Sequence, residues 1–118
     1  LQMIYDQRSA LRHLYRILKP GGVLLVSTHG TSKIGRRKGK DSWCVYWRMT
    51  VDSAERLFGE FFPPENVNVQ GYGNFLAAIS FLYGLAAEEL DDKELDFYDP
   101  DYQVLVTVRA MKPELQHQ

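Results

Sequence analysis

The sequence predicts a small α/β domain. Three observations carry that expectation: a one-sided apolar stripe at helical spacing over residues 11–18, a short apolar run over residues 23–27 set off by turn residues, and a second helical stripe over residues 54–62 that is followed by alternating strand-like segments. Helical and strand periods that alternate along one chain make a layered α/β architecture.

Leu11, Leu14, Tyr15 and Leu18 fall at i, i+3, i+4 and i+7, with Arg8, Arg12 and Arg16 on other faces, so a helix is expected from about Asp6 to Leu18. Lys19-Pro20-Gly21-Gly22 stops it, because Pro20 disfavours helical geometry in the residue before it and the glycines supply the open backbone of a helix C-terminus. Val23-Leu24-Leu25-Val26-Ser27 then reads as a strand buried on both faces of a parallel sheet. From His29 to about Trp47 no period is visible, and Gly30, Gly35 and Gly39 punctuate a basic cluster; a loop this long directly after a strand is where function concentrates.

Asp52 and Glu55 resemble a capping box, and Ala54, Leu57, Phe58, Phe61 and Phe62 make a helical stripe ended by Pro63-Pro64. Val67 and Val69 alternate with Asn68 and Gln70 in a strand over residues 67–72, where Gly71-Tyr72-Gly73 breaks the pattern. Asn74 is placed to cap a helix from Phe75 towards Glu89 that is apolar nearly all round, so it is expected to be buried in the core or to lie against a partner. After an acidic stretch with one helical turn near Asp92 to Leu95, Asp99-Pro100-Asp101 marks a turn. Tyr102 to Ala110 forms the last strand, with Val104, Val106 and Val108 on one face.

The 118 residues suit one domain, assigned to residues 1–113 with a frayed tail at 114–118. A single cysteine, Cys44, excludes a disulfide framework, and the absence of paired Cys/His spacings argues against a metal site; a reducing, cytoplasmic setting is expected. The longest apolar run, Phe75 to Ala87, is too short to span a membrane. The first residues lack the features of a signal peptide and read as the interior of a longer chain. Five of the 14 Lys/Arg lie between Lys33 and Lys40, and eight of the 15 Asp/Glu between Glu88 and Asp101, so the charge is polarised along the chain despite a net charge of -1.

Residues 11–26, Leu-Arg-His-Leu-Tyr-Arg-Ile-Leu-Lys-Pro-Gly-Gly-Val-Leu-Leu-Val, resemble the segment that follows the cofactor site in class I S-adenosylmethionine-dependent methyltransferases. With Tyr46-Trp47-Arg48-Met49-Thr50 and Tyr72-Gly73-Asn74, the chain is similar to a bacterial group linked to glycan assembly, whose members carry an aromatic where Met49 stands. The resemblance implies the C-terminal half of a Rossmann-like sheet: its fifth strand, last helix and sixth and seventh strands, with the apolar helix near residues 75–87 inserted. It also implies that the N-terminal half, holding the S-adenosyl-L-methionine site, is outside this chain, which alone would be inactive. In that family the fifth strand has the closing strand on one side and the fourth on the other. Residues 23–27 would then show a bare edge, leaving the chain poorly soluble or self-associated through that edge or through helix 75–87.

The family's cofactor turn has no match here: no Gly-x-Gly-x-x-Gly lies between a strand and a helix, and Gly71-Tyr72-Gly73 has Leu76 where the third glycine would stand. For a small-molecule or glycan acceptor, the resemblance places binding residues after the fifth strand, namely Thr28, His29, Tyr46, Trp47 and Arg48. His29 is the expected base for a hydroxyl acceptor, because imidazole titrates near neutrality. Two rival readings are not enzymatic. In one, the basic loop 33–40 grips a polyanion while Trp43, Tyr46 and Trp47 stack on bases, although nucleic acid is not the expected partner; in the other, a degenerate domain serves as a scaffold through the helix near Phe75.

Overall fold

The computed structural model describes residues 1–34, 39 and 44–115. Most of the basic loop 33–40, Trp43 and the last tail residues, 116–118, therefore lie outside the described residues.

Helix α1 spans Gln7–Ile17 and is capped by Asp6, whose carboxylate accepts from the Ser9 backbone N–H at 2.9 Å. Its stripe turns inward: Leu11 is fully buried, with Leu14, Tyr15 and Leu18 packed against the same core. The helix does not end on a glycine cap as expected. Leu18 is already extended, and Lys19-Pro20-Gly21-Gly22 forms a separate turn closed by the Gly22 N–H on the Lys19 carbonyl at 2.8 Å. Pro20 in the second position and Gly21 at φ 77° in the third make it a type II turn, whose third residue needs positive φ. The α1 carbonyls are met from the far end of the chain: the Lys112 ammonium donates to the Tyr15 and Leu18 carbonyls at 3.1 and 3.0 Å.

Three strands, β1 (Val23–His29), β2 (Val67–Tyr72) and β3 (Leu105–Met111), form a sheet in the order β1-β3-β2. The last strand runs antiparallel to both neighbours, with Val108 opposite Val26 on one side and Val69 on the other, so β1 and β2 run parallel to each other. The expectation for β1 needs correction: it sits at an edge, antiparallel to its neighbour, and is covered on one face only. Leu24, Val26 and Thr28 share the core side with Val106, Val108 and Ala110, whereas Val23 and Leu25 on the other side are 41% and 73% exposed. An unbroken apolar run cannot distinguish two covered faces from one, because the distinction lies in how many helical layers the sheet receives. Here the helical layer of α1 and of α2 (Val51–Gly59) lies on the core face.

Thr50, not Asp52, caps α2. The Ser53 N–H donates to Thr50 Oγ1 at 3.1 Å and the Thr50 N–H donates to Ser53 Oγ at 2.9 Å, so a Thr-Ser pair makes the reciprocal box assigned to Asp52 and Glu55. Ala54 and Phe58 are fully buried. The helix closes at Gly59, but the Phe62 N–H still reaches the Phe58 carbonyl at 2.9 Å, which delivers Phe62 into the core edge-to-face with Tyr15 at 5.0 Å. Gly71 does not break β2: it pairs with Val106 on the buried face, beneath Tyr98 and Val51.

Helix α3 spans Phe75–Tyr83 and stops at Gly84, short of the expected Glu89. Asn74 caps it and does more: its side-chain oxygen accepts from Ala77 at 2.8 Å, while its amide donates to the Glu94 and Phe97 carbonyls, both at 2.7 Å, tying down the short α4 (Asp92–Asp96). The core-packing expectation for α3 fails. Only Ala78 and Ser80 are buried, and Phe75, Leu76, Ile79, Phe81, Leu82 and Tyr83 are exposed, because the described residues place no second layer over this helix. The Cα radius of gyration of 16.7 Å exceeds the ~13–14 Å of a close-packed chain this long, in keeping with a sheet covered on one side. Strand β3 begins at Leu105 rather than Tyr102; the Gly30 N–H donates to Val104 at 3.0 Å and the Thr31 N–H to Gln103 at 2.8 Å just before it. No helix of the described residues is long and apolar enough to cross a membrane.

Candidate functional site

Beyond β1 the chain returns at residues 44–50 and is held on both sides. The Met49 N–H donates to the His29 carbonyl at 3.1 Å, and the Tyr46 and Trp47 N–H groups converge on the Gln2 carbonyl at 2.8 and 3.3 Å. The side chains follow that clamp. The Trp47 indole N–H donates to the Tyr5 carbonyl at 2.9 Å, its ring stacks on Tyr5 at 5.7 Å, and Tyr46 meets Tyr5 edge-on at 5.3 Å. Arg48 donates from Nη1 to the Gly30 carbonyl at 3.2 Å, and Met49 is buried in the core.

With the first turn of α1 and the outer side of α2, this segment encloses an open cavity of about 700 Å³. Tyr5, Trp47, Met49 and Leu57 supply its apolar wall; Asp6, Gln7, Arg8, Arg48, Ser53, Arg56 and Glu60 supply the polar groups. Arg48 and Met49 also border a smaller cavity of about 280 Å³, where Asp101 and Gln103 stand opposite.

The charges are not all paired. Arg8 grips Glu60 with two hydrogen bonds, at 2.7 and 3.0 Å, and the guanidinium holds the Glu60 carboxyl below the usual carboxylate range. The Asp6 carboxylate is occupied by the helix cap. Arg48 Nη2 and Gln7 Nε2, by contrast, are buried donors with no hydrogen-bond partner among the described residues.

Of the site residues expected from the sequence, Trp47 and Arg48 line the cavity, while Tyr46 lies outside it, edge-on to Tyr5. The structure does not bring Thr28 or His29 into the cavity. Thr28 is 2% exposed, and its hydroxyl points into the core side of β1 without a partner. His29 is exposed on the opposite side of the strand, and its carbonyl rather than its ring serves the site. Tyr5, Gln7 and Arg56 were not legible as site residues. The first two precede or open α1, off its apolar stripe, and only the return of residues 46–49 makes them neighbours of Trp47.

The glycines near β2 are closed in by the chain itself. A Cβ at Gly73, whose φ is 125°, would lie 2.7 Å from the Tyr102 carbonyl and 2.9 Å from the Val104 nitrogen. Gly71 is likewise closed off by Tyr98. Both positions bring the chain against itself. The polyanion reading rests on residues 33–40 and Trp43, which lie for the most part outside the described residues.

Fold and site together define a small α/β domain with a three-stranded antiparallel sheet and an arginine-lined cavity between the start of α1, residues 47–49 and α2. No protein-family model matches the chain, and neither the curated proteins nor the solved structures compared with it give a match.

Proposed function

We propose that this chain forms the acceptor-binding part of an S-adenosylmethionine-dependent methyltransferase acting on a small-molecule or glycan acceptor. The observation that carries the reading is the sheet order. The strand entered through Leu-Lys-Pro-Gly-Gly lies beside the closing strand β3 and offers its other edge unpaired among the described residues, the arrangement the resemblance implies for the family's fifth strand. The uncovered apolar side chains of Val23 and Leu25 also support it, as these are residues that a second layer of structure would bury.

In this reading the Tyr5–Trp47 wall and Arg48 orient the acceptor, and the cavity limits its exposure to water. Methyl transfer is an in-line displacement that depends mainly on such alignment. A hydroxyl acceptor must also lose a proton. Asp6 caps α1, Glu60 is held by Arg8 and His29 lies outside the cavity, so that role falls to solvent.

Sequencing the coding DNA upstream of Leu1 tests the reading. An open frame encoding a strand, a Gly-x-Gly turn and a downstream acidic residue is expected, and the product of that frame should bind methyl-labelled S-adenosylmethionine. A frame with no such turn, or a product that binds no cofactor, overturns it.

One observation favours a second reading, a scaffold that associates with a second copy through α3: six apolar side chains of that helix are exposed. Leu82→Glu should then convert an oligomer to monomer in sedimentation velocity; an unchanged sedimentation coefficient removes this reading.

A further inference from the structure

Two features of the cavity between the start of α1, residues 47–49 and α2 are unexplained by packing: a guanidinium that no carboxylate of the described residues pairs with, and beside it an aromatic wall that remains partly open. Arg48 is anchored through Nη1 on the Gly30 carbonyl, yet Nη2 is buried and has no partner among the described residues. Gln7 lines the same cavity and presents a second buried, unpartnered donor, Nε2. The charges facing this space are Arg8, Arg48 and Arg56 against Asp6 and Glu60; Arg8 and Glu60 neutralise each other, leaving an excess of guanidinium. Asp101 faces Arg48 only from the smaller cavity.

We propose that this cavity recognises an acidic sugar, a pyranose bearing a carboxylate. The carboxylate accepts from Arg48 Nη2 and Gln7 Nε2, and the ring lies along Trp47 and Tyr5. A carboxylate offers two acceptor oxygens, and a guanidinium and an amide lining one cavity are suited to it. Trp47, 41% exposed with its indole N–H already committed to the Tyr5 carbonyl, offers the site apolar surface rather than a donor, which suits the C–H face of a sugar. The inference rests on the reading of this cavity as an acceptor site and names the class of acceptor.

The test is a titration of the 118-residue chain with glucuronate, glucose and glucose 6-phosphate, followed through the Trp47 indole N–H resonance, with no methyl donor present. Glucuronate is expected to bind at least tenfold more tightly than glucose and more tightly than the phosphate ester. Arg48→Gln should weaken glucuronate roughly 10- to 100-fold, the range for losing a charge-assisted hydrogen bond, and leave glucose unchanged. Gln7→Leu, which keeps the Arg48 anchor, should weaken glucuronate by a smaller factor, and Arg12→Gln, an equal change of charge on the exposed side of α1, should have no effect. Equal binding of glucose and glucuronate, preference for the phosphate ester, or an Arg12→Gln effect as large as that of Arg48→Gln overturns the proposal. These outcomes are independent of methyl transfer: glucuronate binding by a chain whose full open frame binds no methyl donor keeps the acidic-sugar site and removes the enzyme.

Discussion

The Lys112 ammonium lies 4.6 Å from the centroid of the Tyr15 ring and at the same time closes the C-terminus of α1 by donating to the Tyr15 and Leu18 carbonyls. One side chain at the end of the last strand thus supplies a cation to the negative end of the first helix and to an aromatic face. Lys112→Met keeps the aliphatic stem and removes both interactions. Its expected cost is ~1–2 kcal/mol of folding free energy. Urea denaturation checks this, and a change below a few tenths of a kcal/mol would show that the pair contributes no stability.

Thr50 and Asp52 compete for the role of α2 cap, and the structure gives it to Thr50. Thr50→Ala is expected to destabilise by ~1 kcal/mol through loss of the reciprocal bonds with Ser53. Asp52→Asn removes only a favourable charge near the helix N-terminus, worth a few tenths of a kcal/mol. Thermal unfolding of the two variants side by side decides the matter: a larger loss for Asp52→Asn would return the cap to the position read from the sequence.

Gly73 is closed to side chains on two counts, its φ of 125° and its contact with the backbone of Tyr102 and Val104. Gly73→Ala should cost more than ~2 kcal/mol, since strain and overpacking add. Loss of hydrogen-exchange protection is expected first around residues 72–74 and 102–104, where the Val104 N–H donates to the Tyr72 carbonyl. Uniform protection in the variant would contradict this.

The pH dependence has a definite sign. Folding depresses the pKa of Glu60 through its hydrogen bond with Arg8, so the stabilisation is present above the unfolded value and is lost as pH falls through the lowered one. The raised pKa of Arg8 adds nothing in the accessible range, because that group is charged throughout. Both side chains are open to solvent, so the effect is small and screened by salt. Glu60→Gln should lower stability slightly near neutrality at low salt, flatten the acid limb of the stability-versus-pH curve, and converge on the parent at pH values where Glu60 is protonated. A steeper acid limb in the variant would reverse the assignment.

The edge of β1 that is unpaired among the described residues carries the last prediction. Leu25, 73% exposed beside that edge, makes self-pairing favourable, and Leu25→Lys should raise solubility and reduce the sedimentation coefficient. A monodisperse monomer before any substitution contradicts the expectation.

Local sequence determined whatever depends on period and on turn chemistry. The i, i+3, i+4 spacing of Leu11, Leu14 and Tyr15 sets the buried side of α1, Pro20-Gly21 sets the type II turn, and the alternation around Val106 and Val108 sets the inward face of β3. These are short-range effects, written within a few residues of where they act. Tertiary structure decided what depends on neighbours remote in the chain. Lys112 closes a helix 94 residues earlier, Trp47 meets Tyr5 across 42 residues, and the face of Leu25 stays open because α1 and α2 cover the other side. An apolar run such as residues 23–27 carries the same local signal whether one or both of its faces are covered, and a cavity made where three segments meet has no signature in any one of them. Of the cavity's lining, Trp47 and Arg48 stood out in the sequence. Gln7 and Arg48 came to line one cavity through the backbone hydrogen bonds that hold residues 46–49 between Gln2 and His29.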